Sequence, residues 1–241
     1  MNTDSTSQYY KSNWEAYYKS MANDTSQIPW DVTPDKASKL DLDIMSSYFN
    51  LSLPLVDIGC GIGTQSMFLK KHFDVVIGTD ISDEAIKIAN QNYGDQDIAF
   101  YYLDTLNLDE IKAFSNNYGP CNLYMRGMLQ QILQDDRKTF TEAIKILLGG
   151  IGKLYFTELS PDAGVFFLDL KRKLGQFPPQ LQRVLTEKVT KMEGVNLNDI
   201  DHIFDVENFN VLEKGVTTIS LKMDENNHIG VPAVYGLVSL K

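Results

Sequence analysis

The 241-residue chain predicts an α/β protein: a mostly parallel sheet with helices on both faces, closed by an antiparallel hairpin at the C-terminus. Three observations carry this expectation. Short apolar runs alternate with helical patterns from about residue 50 to residue 160. The first run, Leu55-Val56-Asp57-Ile58, leads into the glycine loop Gly59-Cys60-Gly61-Ile62-Gly63, which opens a helix. Finally, two extended runs, 210–222 and 231–241, flank the turn-rich Asp224-Glu225-Asn226-Asn227.

Each element has its own warrant. Tyr10, Trp14, Tyr17 and Met21 recur at helical spacing and give a short N-terminal helix an aromatic face. That face either packs on the sheet edge as core or closes over a ligand as a lid. In Ile28-Pro29-Trp30-Asp31-Val32-Thr33-Pro34-Asp35, Thr33 is placed to cap a helix whose first residue is Pro34. Strands are expected over 53–58, 74–79, 98–103, 122–126 and 153–158, and a helix over 64–72. Ser82 reads as an N-cap, with Asp83 and Glu84 in the first turn and Ala85, Ile88 and Ala89 facing inward. Phe140, Ile144, Leu147 and Leu148 form another apolar face, stopped by Gly149-Gly150. Beyond the fifth strand, Val165, Phe166, Leu168 and Leu170 are apolar, and Phe177-Pro178-Pro179 divides an inserted segment into two helical pieces. An insertion there sits at the carboxyl edge of the sheet, where it roofs a pocket or adds a packing layer.

The glycine loop is the chemical centre of the sequence. Its glycines allow backbone angles closed to other residues and let the chain approach a ligand closely. The helix that follows points free N–H groups and a positive dipole end at the loop, which suits an anionic group such as a carboxylate or phosphate. Asp80, after the run Phe73-Asp74-Val75-Val76-Ile77-Gly78-Thr79, ends the next strand and can accept hydrogen bonds from both hydroxyls of a ribose. Asp104 ends the third. The dinucleotide fingerprint Gly-x-Gly-x-x-Gly does not fit Gly59-x-Gly61-x-Gly63, and Asp57 would repel a diphosphate. The same carboxylate suits a cofactor that carries an ammonium and a sulfonium, S-adenosylmethionine.

Through Val56-Asp57-Ile58-Gly59-Cys60-Gly61-Ile62-Gly63 and Gly78-Thr79-Asp80-Ile81-Ser82, the chain resembles the class I S-adenosylmethionine-dependent methyltransferases, over about residues 30–160. The resemblance implies a Rossmann-like, seven-stranded sheet in a single domain over 1–241. In it 1–50 forms a helical lid, 51–160 the cofactor-binding core, 161–201 a helical insert, and 202–241 a helix end and the hairpin. It implies that Asp57, Gly59 and Gly61 line the methionine part, that Asp80 holds the ribose, that Ile81 packs on the adenine and that Asp104 meets its amino group. Cys60, Thr105 and Arg126 complete the implied cofactor set. Pro29-Trp30-Asp31 is similar to the segment that reaches the cofactor in thiopurine- and tellurite-methyltransferase-like members, which adds Trp30. On the fourth strand Asn122 stands where members often carry aspartate.

Composition bounds the acceptor. A net charge of −10, with no basic run longer than Lys171-Arg172-Lys173, argues against a nucleic-acid substrate, which needs clustered cations to displace counterions. The pattern Asn/Asp-Pro-Pro-aromatic of many amino-group methyltransferases is absent, and Met125-Arg126-Gly127-Met128 stands there instead. Tyr124-Met125-Arg126-Gly127-Met128-Leu129-Gln130-Gln131-Ile132 is similar to members reading Arg-x-x-Leu-His-His, with glutamine for both histidines. Gln130 can orient an acceptor but takes no proton at neutral pH. The base then comes from Tyr10 or Glu158, or none is needed because the acceptor is a thiolate, an amine or an acidic phenol. Of the histidines, His72, His202 and His228, His202 is the best placed for such a role. Tyr10, Trp14, Gln130, Glu158 and Phe166 are the expected acceptor contacts, and no catalytic residue is assigned.

The expected activity is methyl transfer to O, N or S of a small, partly apolar molecule, with a protein methyltransferase or a non-catalytic cofactor-binding scaffold as the alternatives. No metal, nucleic-acid or membrane partner is expected. The start lacks a basic and an apolar stretch, so no signal peptide is expected, and reduced Cys60 and Cys121 fit a cytoplasmic protein.

Overall fold

Seven strands form one sheet in the computed structural model, which describes residues 3–186 and 194–241. The strands are β1 (Leu55–Ile58), β2 (Val76–Asp80), β3 (Ala99–Tyr102), β4 (Asn122–Arg126), β5 (Lys153–Leu159), β6 (Phe209–Lys222) and β7 (His228–Leu240). Their order is β3-β2-β1-β4-β5-β7-β6. The first five run parallel, and β7 lies antiparallel between β5 and β6. The chain winds outward from β1 to β3 and then returns to β4. The loops after β1 and β4 therefore diverge, and open α/β sheets bind ligands in the crevice this leaves.

The helices are α1 (Thr3–Met21), α2 (Ser38–Met45), α3 (Thr64–Leu69), α4 (Asp83–Tyr93), α5 (Leu108–Tyr118), α6 (Arg137–Leu148), α7 (Asp162–Leu174), α8 (Pro179–Thr186) and α9 (Leu197–Ile203). Alternation along the strands divides them between two cores. Val56, Leu123, Met125, Leu154 and Phe156 meet α5, α6 and α9 through Ile111, Phe140, Ile144 and Ile200. Leu55, Val76, Phe100, Tyr124 and Tyr155 face the other way, onto Met45, Leu69, Ile86 and Ala89. Each such side chain fully withdrawn from water contributes roughly 1.5–3 kcal/mol, so burial on both faces fixes the strand register. Above the sheet, α1 packs on α4 through Tyr17, Tyr18, Met21, Ala85 and Ile88, while α7 and α8 pack on the hairpin through Phe167, Leu170, Leu181, Ile219 and Val231.

Local chemistry explains the helix ends. Ser82 Oγ accepts the Ala85 N–H at 3.1 Å, and α6 stops at Gly149 in the left-handed conformation. Two expectations need correction. The helix after the glycine loop ends at Leu69, not near residue 72. Thr33 makes no side-chain cap: Pro34–Lys36 is a single 3₁₀ turn, and α2 begins only at Ser38. Asn122, in place of aspartate, is a buried clamp between strand starts. It donates to the Asn50 carbonyl at 2.8 Å and accepts the Lys153 N–H at 3.3 Å. The inserted segment does break into α7 and α8 around Phe177-Pro178-Pro179, and its stretch 187–193 lies outside the described residues.

Candidate active site

A deep cleft opens over the carboxyl ends of β1 to β5, lined below by strand tips and above by α1, the 28–31 segment, α7 and α8. Its floor is the glycine loop. Gly61 and Gly63 have φ of +56° and +87°. A Cβ at Gly61 would stand 2.7 Å from the Tyr18 hydroxyl, and one at Gly63 2.7 Å from Phe100 Cζ. Larger residues would be strained and would clash.

Carboxylates hold this loop and remain available to a ligand. Asp80 accepts the Gly61 N–H at 3.0 Å on one oxygen and the Ser82 N–H at 2.9 Å on the other. Burial pushes its pKa up to about 6, against the pull of those N–H groups. Among the described residues the Asp57 carboxylate accepts only the Ser66 hydroxyl, at 2.5 Å, and burial, with Asp80 adding repulsion, pushes it up to about 7. Asp104 accepts the Leu106 N–H at 2.8 Å. Burial also raises the Cys60 thiol well above its ordinary range, so it lines the cleft as a neutral group.

At the end of β4, Arg126 places Nη1 3.5 Å from Asp41 of α2. Asp41 is buried and also receives the hydroxyls of Tyr124 at 2.7 Å and Tyr155 at 2.9 Å. The upper wall is aromatic: Trp14 and Trp30 meet edge to face with ring centroids 5.6 Å apart. Asp31 pairs with Lys222 at 3.6 Å, and the backbone N–H of Lys222 donates to the Pro29 carbonyl, which ties the end of β6 to this wall.

Trp30, Asp57, Gly59, Cys60, Gly61, Asp80, Ile81, Asp104, Thr105 and Arg126 all line the cleft, as do Tyr10, Trp14 and Gln130. Glu158 and Phe166 do not. Glu158 is fully buried and accepts the N–H groups of Met128 and Leu129 at 2.9 and 2.7 Å and of Gln130 at 3.2 Å. It is spent on fixing the turn that carries Gln130. Phe166 packs against the hairpin cluster, and its neighbour Phe167 enters the cleft. Tyr10 lines the cleft with its ring, but its hydroxyl donates to Asp136 at 3.0 Å and accepts the Leu133 N–H at 2.7 Å. Burial raises its pKa further, which removes it as a base. His202 is exposed on α9, and no histidine is among the described lining residues. The sequence reading missed Met128, Gln131, Leu181, Val184, Ile219 and Leu221, apolar or amide positions brought to the cleft only by tertiary packing.

A family model described as a methyltransferase domain matches residues 55–150. Among solved structures, a SAM-dependent methyltransferase from Anabaena variabilis ATCC 29413 is 29% identical, covers 96% of this chain and 95% of its own, and has a TM-score of 0.88. Magnesium protoporphyrin IX methyltransferase from Synechocystis PCC 6803, solved with bound SAH, is 18% identical over 85% of this chain and 80% of its own, with a TM-score of 0.55. A structure from echinomycin biosynthesis, concerning conversion of a disulfide bond into a thioacetal group, is 15% identical over 88% and 85%, with a TM-score of 0.65. No curated protein matches the sequence. The narrower likeness to thiopurine and tellurite enzymes is not among these findings.

The strand order, the glycine loop and the acidic strand tips are those of a class I methyltransferase fold. The chain carries a methyltransferase domain, matched over residues 55–150, and is an enzyme whose methyl donor is S-adenosylmethionine. The residues present fit that donor: buried Asp57 and Asp80, with no cation paired to them among the described residues, suit a ligand bearing cations and hydroxyls, and a Cβ at Gly61 would crowd the cradle.

Proposed function

We propose that the enzyme methylates a small, partly apolar molecule at an atom that is already nucleophilic, such as an amine, a thiolate or an acidic phenol. The observation that supports this most directly is the lining of the cleft away from the glycine loop. Trp14, Met128, Ile132, Leu159, Phe167 and Leu181 contribute to it, with the amides of Gln130 and Gln131 among its polar groups. Histidine, lysine and glutamate are absent from the described lining residues, and Asp31 is tied to Lys222.

The bound donor supplies a sulfonium-activated methyl group, and the protein's part is placement and exclusion of water. Asp57 and Gly59–Gly61 hold the methionine part, Asp80 the ribose, and Ile81, Asp104 and Thr105 the adenine. Trp30 and Cys60 close around the sulfonium region. Gln130 is buried, and its Oε1 has no hydrogen-bond partner among the described residues. A donor N–H or O–H on the acceptor would satisfy it and aim the neighbouring lone pair at the methyl carbon. Glu158 keeps that amide in place through the backbone of 128–130.

The test is transfer of labelled methyl from S-adenosylmethionine to a panel of aromatic and aliphatic amines, thiols, phenols and carboxylates, with a basic peptide for comparison. Labelled product from an amine, thiol or acidic phenol, retained in Asp31→Asn, is expected. Transfer confined to alcohols and lost in Asp31→Asn would overturn the base-free reading, and transfer to the peptide alone would overturn the small-molecule one.

A further inference from the structure

The β6–β7 hairpin is longer than the sheet it closes. Pairing between β5 and β7 ends at Leu159 with Ala233, but β6 and β7 stay paired from Thr218 with Pro232 to Lys222 with His228. At strand rise, this arm reaches roughly 17 Å past the carboxyl end of β5, on the side where the cleft lies. Its tip is tied down. Lys222 donates its backbone N–H to the Pro29 carbonyl at 2.7 Å, and its ammonium stands 3.6 Å from Asp31. Side chains alternate along the arm, with Ile219 and Leu221 buried, Thr218 exposed, and Ser220 and Lys222 half-buried. Ile219 and Leu221 pack in one cluster with Phe167 of α7 and Leu181 of α8, and all four line the cleft.

The arm belongs to the half of the cleft away from the donor. The donor's proposed contacts sit at β1, β2 and β3, whereas β6 is four strand spacings from β1 in the opposite direction, roughly 19 Å. Ile219, Leu221, Phe167 and Leu181 offer no side-chain polar atom to an amino acid or a nucleoside. Trp30 joins the two halves, because it packs against both the arm's cluster and the α1 cluster. An acceptor whose nucleophile meets the methyl group beside Trp30 therefore lays its remaining atoms along the arm. Branched aliphatic side chains and one phenyl ring reward an alkyl chain there and penalise a second charged group.

We infer that the overhanging arm selects the acceptor by length: Ile219 and Leu221, set against Phe167 and Leu181, take an alkyl tail and limit how long it can be. This rests on the small-molecule reading of the acceptor and names the part of it that the arm recognises. The test follows labelled methyl from S-adenosylmethionine to n-alkanethiols, from ethanethiol to octanethiol, with full-length wild type, Leu221→Ala and Leu221→Phe. In wild type, kcat/KM is expected to rise by up to about fourfold per methylene, the scale of burying one such group, and to stop rising at a definite chain length. Leu221→Ala should move that limit to longer thiols and Leu221→Phe to shorter ones, with ethanethiol held within about twofold in each. Losses equal for short and long thiols in both variants would assign Leu221 to hairpin packing and overturn the inference. A wild-type kcat/KM independent of chain length would overturn it too, without any variant having to fold. If wild type methylates no thiol, the same series is titrated into the S-adenosylhomocysteine complex. Emission of Trp14 and Trp30, the chain's two tryptophans and both in the cleft, then reads binding. Affinity that rises to a limit moved by the Leu221 variants supports the inference, and affinity independent of length, or no binding, overturns it. Transfer to a basic peptide alone overturns the small-molecule reading instead.

Discussion

Asp57, Asp80 and Glu158 are buried carboxylates whose pKa values stand near 7, 6 and 7 because burial opposes their charge. An unfolded chain releases these protons near pH 4, whereas the native state keeps them to about pH 6–7. Between those limits the native state binds more protons, so stability falls as pH rises. Glu15 acts in a different window. Burial raises its pKa, but the Glu84 N–H, the Ser82 hydroxyl and Lys19 outweigh that and lower it, so its contribution is lost only as pH falls below about 4.5. The melting temperature of the protein without donor is therefore expected to fall from pH 5 to 7.5, with a smaller fall in Asp57→Asn. A rise across that range would contradict the assignment. In the proposed binding mode the donor's cations lie beside Asp57 and favour its ionised form. Calorimetry near pH 6.5 in buffers of different ionisation enthalpy should then show proton release, and affinity should increase with pH. Glu158 poses a separate test. Alanine there leaves the buried N–H groups of Leu129 and Gln130 and the half-buried one of Met128 unpaired and should cost roughly 3 kcal/mol in denaturant unfolding, and glutamine less. Its position at a strand tip was readable from the sequence, but its role was not. Whether a carboxylate turns to the cleft or to the backbone depends on where the N–H groups of another loop end up.

Elements were more legible than side-chain directions. The five parallel strands were placed within about two residues because interior strands are short, apolar and punctuated by glycine, asparagine and aspartate. The helix phase of α7 was not legible. Val165, Phe166, Phe167 and Leu168 are apolar in succession, so no polar gap marks the inward face. Tertiary packing selected Phe167 and left Val165 and Leu168 63% and 54% exposed. Thr33 shows the limit of capping rules, since Pro34 suited a single 3₁₀ turn that needed no side-chain cap. The element that joins fold to function is the β1 loop, which argues for a test by backbone strain. Gly63 has φ of +87°, and a Cβ there would lie 2.7 Å from Phe100 Cζ and 3.2 Å from Ala89. Gly63→Ala is expected to destabilise the protein by about 1–3 kcal/mol in chemical denaturation and to weaken donor binding with it. An unchanged midpoint would mean that the loop does not depend on this conformation.

At the scale of the molecule, the cleft draws its walls from every apolar cluster. Ile58 and Leu103 come from one sheet core, Tyr124 from the other, Trp14 and Val184 from the α1 layer, and Phe167 and Leu221 from the α7–hairpin layer. A ligand seated there touches each of them at once and should stabilise the fold as a unit. A ligand at a hundred times its Kd adds about 2.7 kcal/mol. For a chain of this length that raises Tm by about 5–10 °C. S-adenosylhomocysteine, which keeps the carboxylate, ammonium, ribose and adenine, is the stable probe for this shift. NAD at the same concentration should give none, because its diphosphate would face Asp57 and Asp80 within a protein of net charge −10. Asp80→Ala should abolish the S-adenosylhomocysteine shift, since it removes the proposed partner of the ribose and the brace between Gly61 and Ser82. The same variant read by circular dichroism separates the two losses. A folded Asp80→Ala protein without a shift supports the ribose role. A folded variant that keeps the full shift would place the nucleoside elsewhere in the cleft.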